Sequence, residues 1–123
     1  AGVQQFGCLA MNNVCAGTDA AALVRKQRAA DAGGIEVAVA ALQAHPQHAG
    51  VQQSGCRALF NMCFGSDVWA LGNVCFGSDA AARARRQRAV IAGATEAVAG
   101  AMQAHPGDAA VQRQGQGLRV LLA

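Results

Sequence analysis

One twelve-residue phrase occurs three times in this chain: "CLAMNNVCAGTD" from Cys8, "CRALFNMCFGSD" from Cys56 and "VWALGNVCFGSD" from Val68. Other phrases recur with it. "VQQFGC" at Val3 returns as "VQQSGC" at Val51 and "VQRQGQ" at Val111, "RKQRA" at Arg25 as "RRQRA" at Arg85, and "LQAHP" at Leu42 as "MQAHP" at Met102. Self-similarity of this kind means an array of small supersecondary units, each needing a neighbour to cover its apolar face. From Val3 to Val51 the spacing is 48 residues, whereas Val51 to Val111, Arg25 to Arg85 and Leu42 to Met102 are each 60. The excess of twelve equals the doubled phrase. A tandem duplication of twelve residues and the loss of 36 from a 48-residue unit leave the same spacing. Content favours the loss, because Val68 and Trp69 resume in the middle of a helix. Either Asp67 and Val68 join a truncated unit, with "VWALGNVCF" a short helix beside the preceding one, or they flank something absent and lie far apart. The expected organisation is a single domain: a partial unit 1–17, a unit 18–67, an irregular or truncated segment 68–77 and a unit 78–123.

One unit reads as three helices. Asp19 or Thr18 can cap "AAALVRKQRAADA", and Gly33-Gly34 stops that helix where a left-handed residue is needed. "IEVAVAALQA", Ile35 to Ala44, places apolar residues at 35, 38, 39 and 42, one face of a second helix. His45-Pro46 ends it, since the residue before proline is pushed out of the helical region. In "GVQQSGCRALFNMCF", Gly55, Leu59, Met62 and Cys63 share one side of a third helix, while Arg57, Asn61 and Phe64 share another. The fold class is all-α.

The pattern "A-G-[GA]-[IT]-E" opening a helix, then "LQAHP", then "VQ…G-C-x-A-L-x-N-x-C-x-G", resembles the armadillo repeat over nearly the whole chain. The resemblance implies a right-handed superhelix of three-helix units, about two and a half of them, used for protein binding. "VWALGNVCFG" is similar to the third helix of the importin-α type, with Trp69 and Asn73 four residues apart. In that type an Asn ladder on the concave face holds an extended peptide by its backbone. The resemblance places the ladder at Asn13, Asn61 and Asn73 and the Trp slot at Trp69. Leu9 and Arg57 stand at the other Trp positions, and Leu121 where the last ladder Asn would be. A carboxamide suits such a role because it can pair with both the C=O and the N–H of a partner backbone. A mid-helix Asn can also bond between helices of its own array, and both roles stay open.

Five cysteines are an odd number, set within helical patterns and not in loops suited to a disulfide framework, which points to a reducing compartment inside a cell: cytoplasm, nucleus or organelle interior. Cys8 and Cys15, like Cys56 and Cys63, are seven residues apart, roughly 10 Å along a helix at about 1.5 Å per residue. One zinc ion needs each sulfur within about 2.3 Å. Buried, reduced core positions are expected, with thiol or metal binding the distant alternative. His45, His48 and His105 belong to helix-terminating loops, and no carboxylate pair, phosphate loop or Ser/His/Asp grouping can be assembled. Neither an enzyme nor a cofactor is expected.

Two basic clusters remain: Arg25, Lys26 and Arg28, then Arg83, Arg85, Arg86 and Arg88, each on the first helix of a unit. They read as a positive stripe able to meet an acidic protein, a membrane surface or phosphate. With no Tyr, one Trp and four Phe, the chain lacks a stacking platform for single strands, which argues against nucleic acid. No apolar run reaches the length of a membrane span. Although 53% of residues are apolar, so many are Ala that the core must be thin. Its ends, "AGVQQFGCLAMNNVC" and "LRVLLA" with Leu118, Leu121 and Leu122, are expected to stay open. Both functions that follow are binding functions. One is a structural linker or scaffold subunit held by partner proteins through its ends and basic helices; the other is an adaptor gripping an extended peptide through Asn13, Asn61, Trp69 and Asn73.

Overall fold

The computed structural model describes residues 2–17, 19–63 and 76–123, with 76–79 described by backbone alone. Within these lie seven helices and no strand: α1 (Gly2–Val14), α2 (Ala20–Asp31), α3 (Gly34–Ala44), α4 (Ala49–Cys63), α5 (Phe76–Ile91), α6 (Ala94–Ala104) and α7 (Ala109–Leu122). The Asp67–Val68 junction, the helix expected over "VWALGNVCF", and Trp69 and Asn73 lie outside the described residues.

Local chemistry sets the boundaries. Asp19 caps α2, its carboxylate accepting from the Ala22 N–H at 2.8 Å. Gly33 turns the chain with φ +91°, and Gly93, 60 positions on, does so with φ +94° between α5 and α6. Only glycine adopts that conformation without strain. Helix α3 therefore begins at Gly34, one residue earlier than its periodicity predicts. His45 and His105 end α3 and α6 at the expected place. The His48 imidazole then accepts from the Val51 N–H at the start of α4, and Asp108 does the same for α7 through Ala110 and Val111.

Helices α1, α4 and α7 lie side by side with α4 in the middle, and α4 also touches α2, α3 and α5. Helix α3 packs on both α4 and α6, and α6 on α7. The units α2–α3–α4 and α5–α6–α7 thus repeat one arrangement. Gly55, Leu59, Met62 and Cys63 are all buried on one side of α4, while Arg57 is exposed on another. The large core side chains are few, among them Ile35, Leu42, Leu59, Met62 and Leu118, and small residues such as Ala38, Ala58, Ala89 and Cys56 fill the rest. Close helix approach takes the place of bulk: a Cβ on Gly55 would sit 2.7 Å from Leu42, and one on Gly115 would sit 2.6 Å from Met102.

Leu118 is not part of an open end. It is fully buried, while Leu121 and Leu122 are half-buried against the core and Val120 faces outward. The reason is register. Leu118 stands 60 positions after Ala58, the inward residue of α4, and occupies the same inward position on α7.

Candidate protein-binding site

Of the four expected ladder residues, two are described. Asn13 is exposed on α1, and Asn61 is half-buried on α4. The Asn61 carboxamide nitrogen donates to the backbone carbonyl of Asn12 at 3.1 Å and to the Asn12 side-chain oxygen. One carboxamide thereby ties two neighbouring third helices together and offers its N–H groups to the array. Asn12 went unnoticed in the sequence. Its signal was the doubled Asn in "MNNV", where the copy at Asn61 has a single one.

The basic stripe is largely absorbed in the same way. The Arg25 Nε donates to the Val14 carbonyl at 2.8 Å and its Nη2 to the Ala16 carbonyl at 3.4 Å, at the end of α1. Arg85, 60 positions on, donates from Nε to the Met62 carbonyl at 2.6 Å at the end of α4, and from Nη1 to Gln27 at 2.9 Å. Arg86 donates to the Cys63 carbonyl at 3.2 Å. The last carbonyls of a helix have no partner within it, so a first-helix arginine closes the third helix of the preceding unit. Arg88 pairs with Glu36 through Nε at 3.0 Å and Nη2 at 2.9 Å, joining α5 to α3. Lys26 and Arg85 are only 1% and 3% exposed, so neither belongs to an outer charged surface. Burial is the main cause lowering the Lys26 pKa, and the neighbouring Arg85 guanidinium adds to it. Arg28 and Arg83 remain exposed.

Cys8, Cys15, Cys56 and Cys63 are free and buried. Burial pushes the Cys56 and Cys63 thiols up to about 12, although Arg85 and Arg86 pull Cys63 the other way. Such thiols are poor nucleophiles. Among the described residues no three His, Cys, Asp or Glu side chains converge in a way that could hold a metal ion, and no helix is long and apolar enough to cross a membrane.

The clearest surface feature lies where α1 meets α3. Val3, Gly7 and Met11 on one side and Val37, Ala40 and Ala44 on the other line an apolar groove of about 530 Å³. Of the residues that line it, Val3 is 83% and Val37 59% exposed; Phe6, also on α1, is 68% exposed. Compared with known proteins, the chain matches no family model, no curated protein and no solved structure.

Proposed function

We propose that the chain is a non-catalytic, armadillo-like repeat module, a right-handed superhelical stack that serves as a structural linker or scaffold subunit and binds other proteins within a larger assembly. The apolar groove between α1 and α3, with the exposed Val3 and Val37 among its lining, carries this reading, because exposed apolar surface of this kind marks a protein-binding face. The polar chemistry agrees with it. Arginines and carboxamides that could serve a ligand instead close helix ends and join units. The adaptor reading ranks second, since Asn61 directs its N–H groups to Asn12 and not outward.

Sedimentation at rising concentration, alongside a thermal melt, tests the proposal. The purified chain is expected to self-associate or melt at a low midpoint, and a Val3→Ser/Phe6→Ser double variant to reduce the association. A dilute monomer with a cooperative melt at a high midpoint, unaffected by that substitution, would return the peptide adaptor to first place.

A further inference from the structure

The turns that lead into α4 and α7 are near copies, yet they cap their helices with different chemistry. "HPQH", His45 to His48, precedes α4, and "HPGD", His105 to Asp108, precedes α7. Both fold alike: the His48 N–H donates to the His45 carbonyl at 3.1 Å, and the Asp108 N–H to the His105 carbonyl at 3.1 Å. The last residue of each turn then accepts from the first turn of the helix. Asp108 does so with a carboxylate oxygen, from Ala110 and Val111 at 3.0 and 3.1 Å, and His48 with the imidazole Nδ1, from Val51 at 3.2 Å. A carboxylate accepts whenever it is ionised, whereas an imidazole nitrogen accepts only while it carries no proton. The bond from Val51 therefore requires neutral His48 as the Nε2–H tautomer.

More than one bond depends on this cap. Val51 is fully buried, and the next residue, Gln52, holds the end of α3 through the Leu42 and His45 carbonyls at 3.0 and 2.8 Å. Gly50, in the same helical turn, lies beneath the Gln5 side chain of α1, 2.6 Å from where a Cβ would stand. The first turn of α4 is thus a place where α1 and α3 both meet the central helix of the stack. A proton on Nδ1 removes the acceptor and sets a positive charge against the N-terminal end of the helix, where the dipole disfavours cations. His48 is exposed, so a proton reaches it without unfolding.

The titratable and charged side chains around the turn are His45 within it and His105 and Asp108 from the α6–α7 turn. The His105 Nε2 meets the Pro46 carbonyl at 2.9 Å, a contact that an imidazolium keeps because both its nitrogens donate. Asp108 is already engaged by Gln53 and the first amides of α7. The Gln53 amide first, then the Val111 N–H, hold its carboxyl below the ordinary carboxylate range, so it stays ionised where histidine gains a proton. Helix α1, packed against the start of α4, brings no charged side chain, and the first on α4 itself is Arg57. Among the described residues no carboxylate bonds to the His48 ring.

We infer that the turn between α3 and α4 is an acid-sensitive catch: protonation of His48 releases the first turn of α4, and with it the hold of Gln52 on α3, while the Asp108-capped turn into α7 stays closed. The stabilisation is complete while the imidazole is neutral and is lost as the pH falls through the range in which histidine gains its proton. One end of the central helix thereby loosens under mild acid with the second unit in place, whatever the module binds.

Native-state hydrogen exchange of the isotope-labelled chain tests this between about pH 8 and 5, the interval in which histidine is the side chain that ordinarily changes charge. Rates are expressed as protection factors, so that the pH dependence of the exchange chemistry itself cancels. Protection of the Val51 amide is expected to fall about fivefold over that interval, the scale of one lost cap, while that of Val111 stays level. His48→Asn, an uncharged cap, should hold Val51 protection constant, and His48→Asp, the residue that α7 uses, should hold it constant at a higher level. His45→Gln and His105→Gln chains are expected to keep the fivefold change. The imidazole nitrogen shifts of His48 give a second readout, with Nδ1 unprotonated at the upper pH. Level Val51 protection in the wild type overturns the inference. So does a neutral His48 in the Nδ1–H form, a fall that survives His48→Asn, or one that His105→Gln abolishes. Should the position-48 variants fail to fold, the wild-type tautomer and the contrast between Val51 and Val111 decide the matter alone.

Discussion

Gln52 holds α3 to α4 with a single side chain, because its carboxamide donates to two carbonyls that the helix itself cannot satisfy. Gln52 is buried and Gln112 only half-buried, so identical chemistry sits in two environments. Gln52→Leu is expected to cost about 2 kcal/mol by leaving the Leu42 carbonyl without a partner and the His45 carbonyl with the His48 N–H alone, and Gln112→Leu about half of that because water can replace the amide. Urea unfolding of the two variants checks this, and an equal or larger loss at Gln112 would contradict it. The thiols give a pH dependence of definite sign. Their folded pKa values lie near 12 at Cys56 and Cys63 against 9.0 ordinarily, so the folded state keeps protons that the unfolded chain releases. This stabilisation is fully present below pH 9.0 and is lost as the pH rises from there towards 12, by up to about 1.4 kcal/mol per pH unit for each thiol. Lys26, whose pKa burial lowers, acts in the opposite sense. Comparison with a Cys56→Ala/Cys63→Ala variant cancels that contribution, and its urea midpoint should fall less between pH 9 and 11 than that of the wild type.

At the scale of helices, glycines decide how closely neighbours approach. Gly7 and Gly55 hold the same place in α1 and α4, yet only Gly55 lies beneath a packed side chain. Alanine at Gly7 meets nothing and should stabilise the chain by about 0.5–1 kcal/mol through helix propensity. Alanine at Gly55 drives a methyl into Leu42 and should destabilise by about 1–3 kcal/mol. Paired thermal melts check the opposite signs; a stabilising Gly55→Ala would mean that α3 can move away from α4 at little cost.

For the whole molecule, stability should be graded around α4, which contacts five of the other six helices. Helix α1 depends chiefly on α4 and leaves Val3 and Phe6 in solvent. Hydrogen exchange should therefore be slowest in α4 and markedly faster in the first turns of α1, since local opening follows the apolar contact that holds each segment. Uniform protection across α1 and α4 would show a more cooperative stack than this packing implies.

Repetition, periodicity and punctuation were enough to determine the helical class and, to within about a residue, the bounds of α2 and α3, because Gly33, His45-Pro46 and the apolar spacing act through local sterics and one-sided burial, whereas α5 begins at Phe76, before the unit expected from residue 78. Cys8, Cys15, Cys56 and Cys63 were legible as core for the same reason, while Cys75 lies outside the described residues. The roles of the polar residues were not. Arg25, Arg85, Gln52 and Asn61 read as a charged stripe, a repeated phrase and a ladder, but each is spent on groups presented by another helix. A hydrogen bond between residues 23 or 49 positions apart depends on where two helix ends meet, and sequence spacing carries no record of that distance. Leu118 changed from surface to core on the same ground, and the α1–α3 groove exists only where two helices separated in sequence meet. Which faces exist follows from local periodicity, whereas which of them are covered is decided only when the units stack.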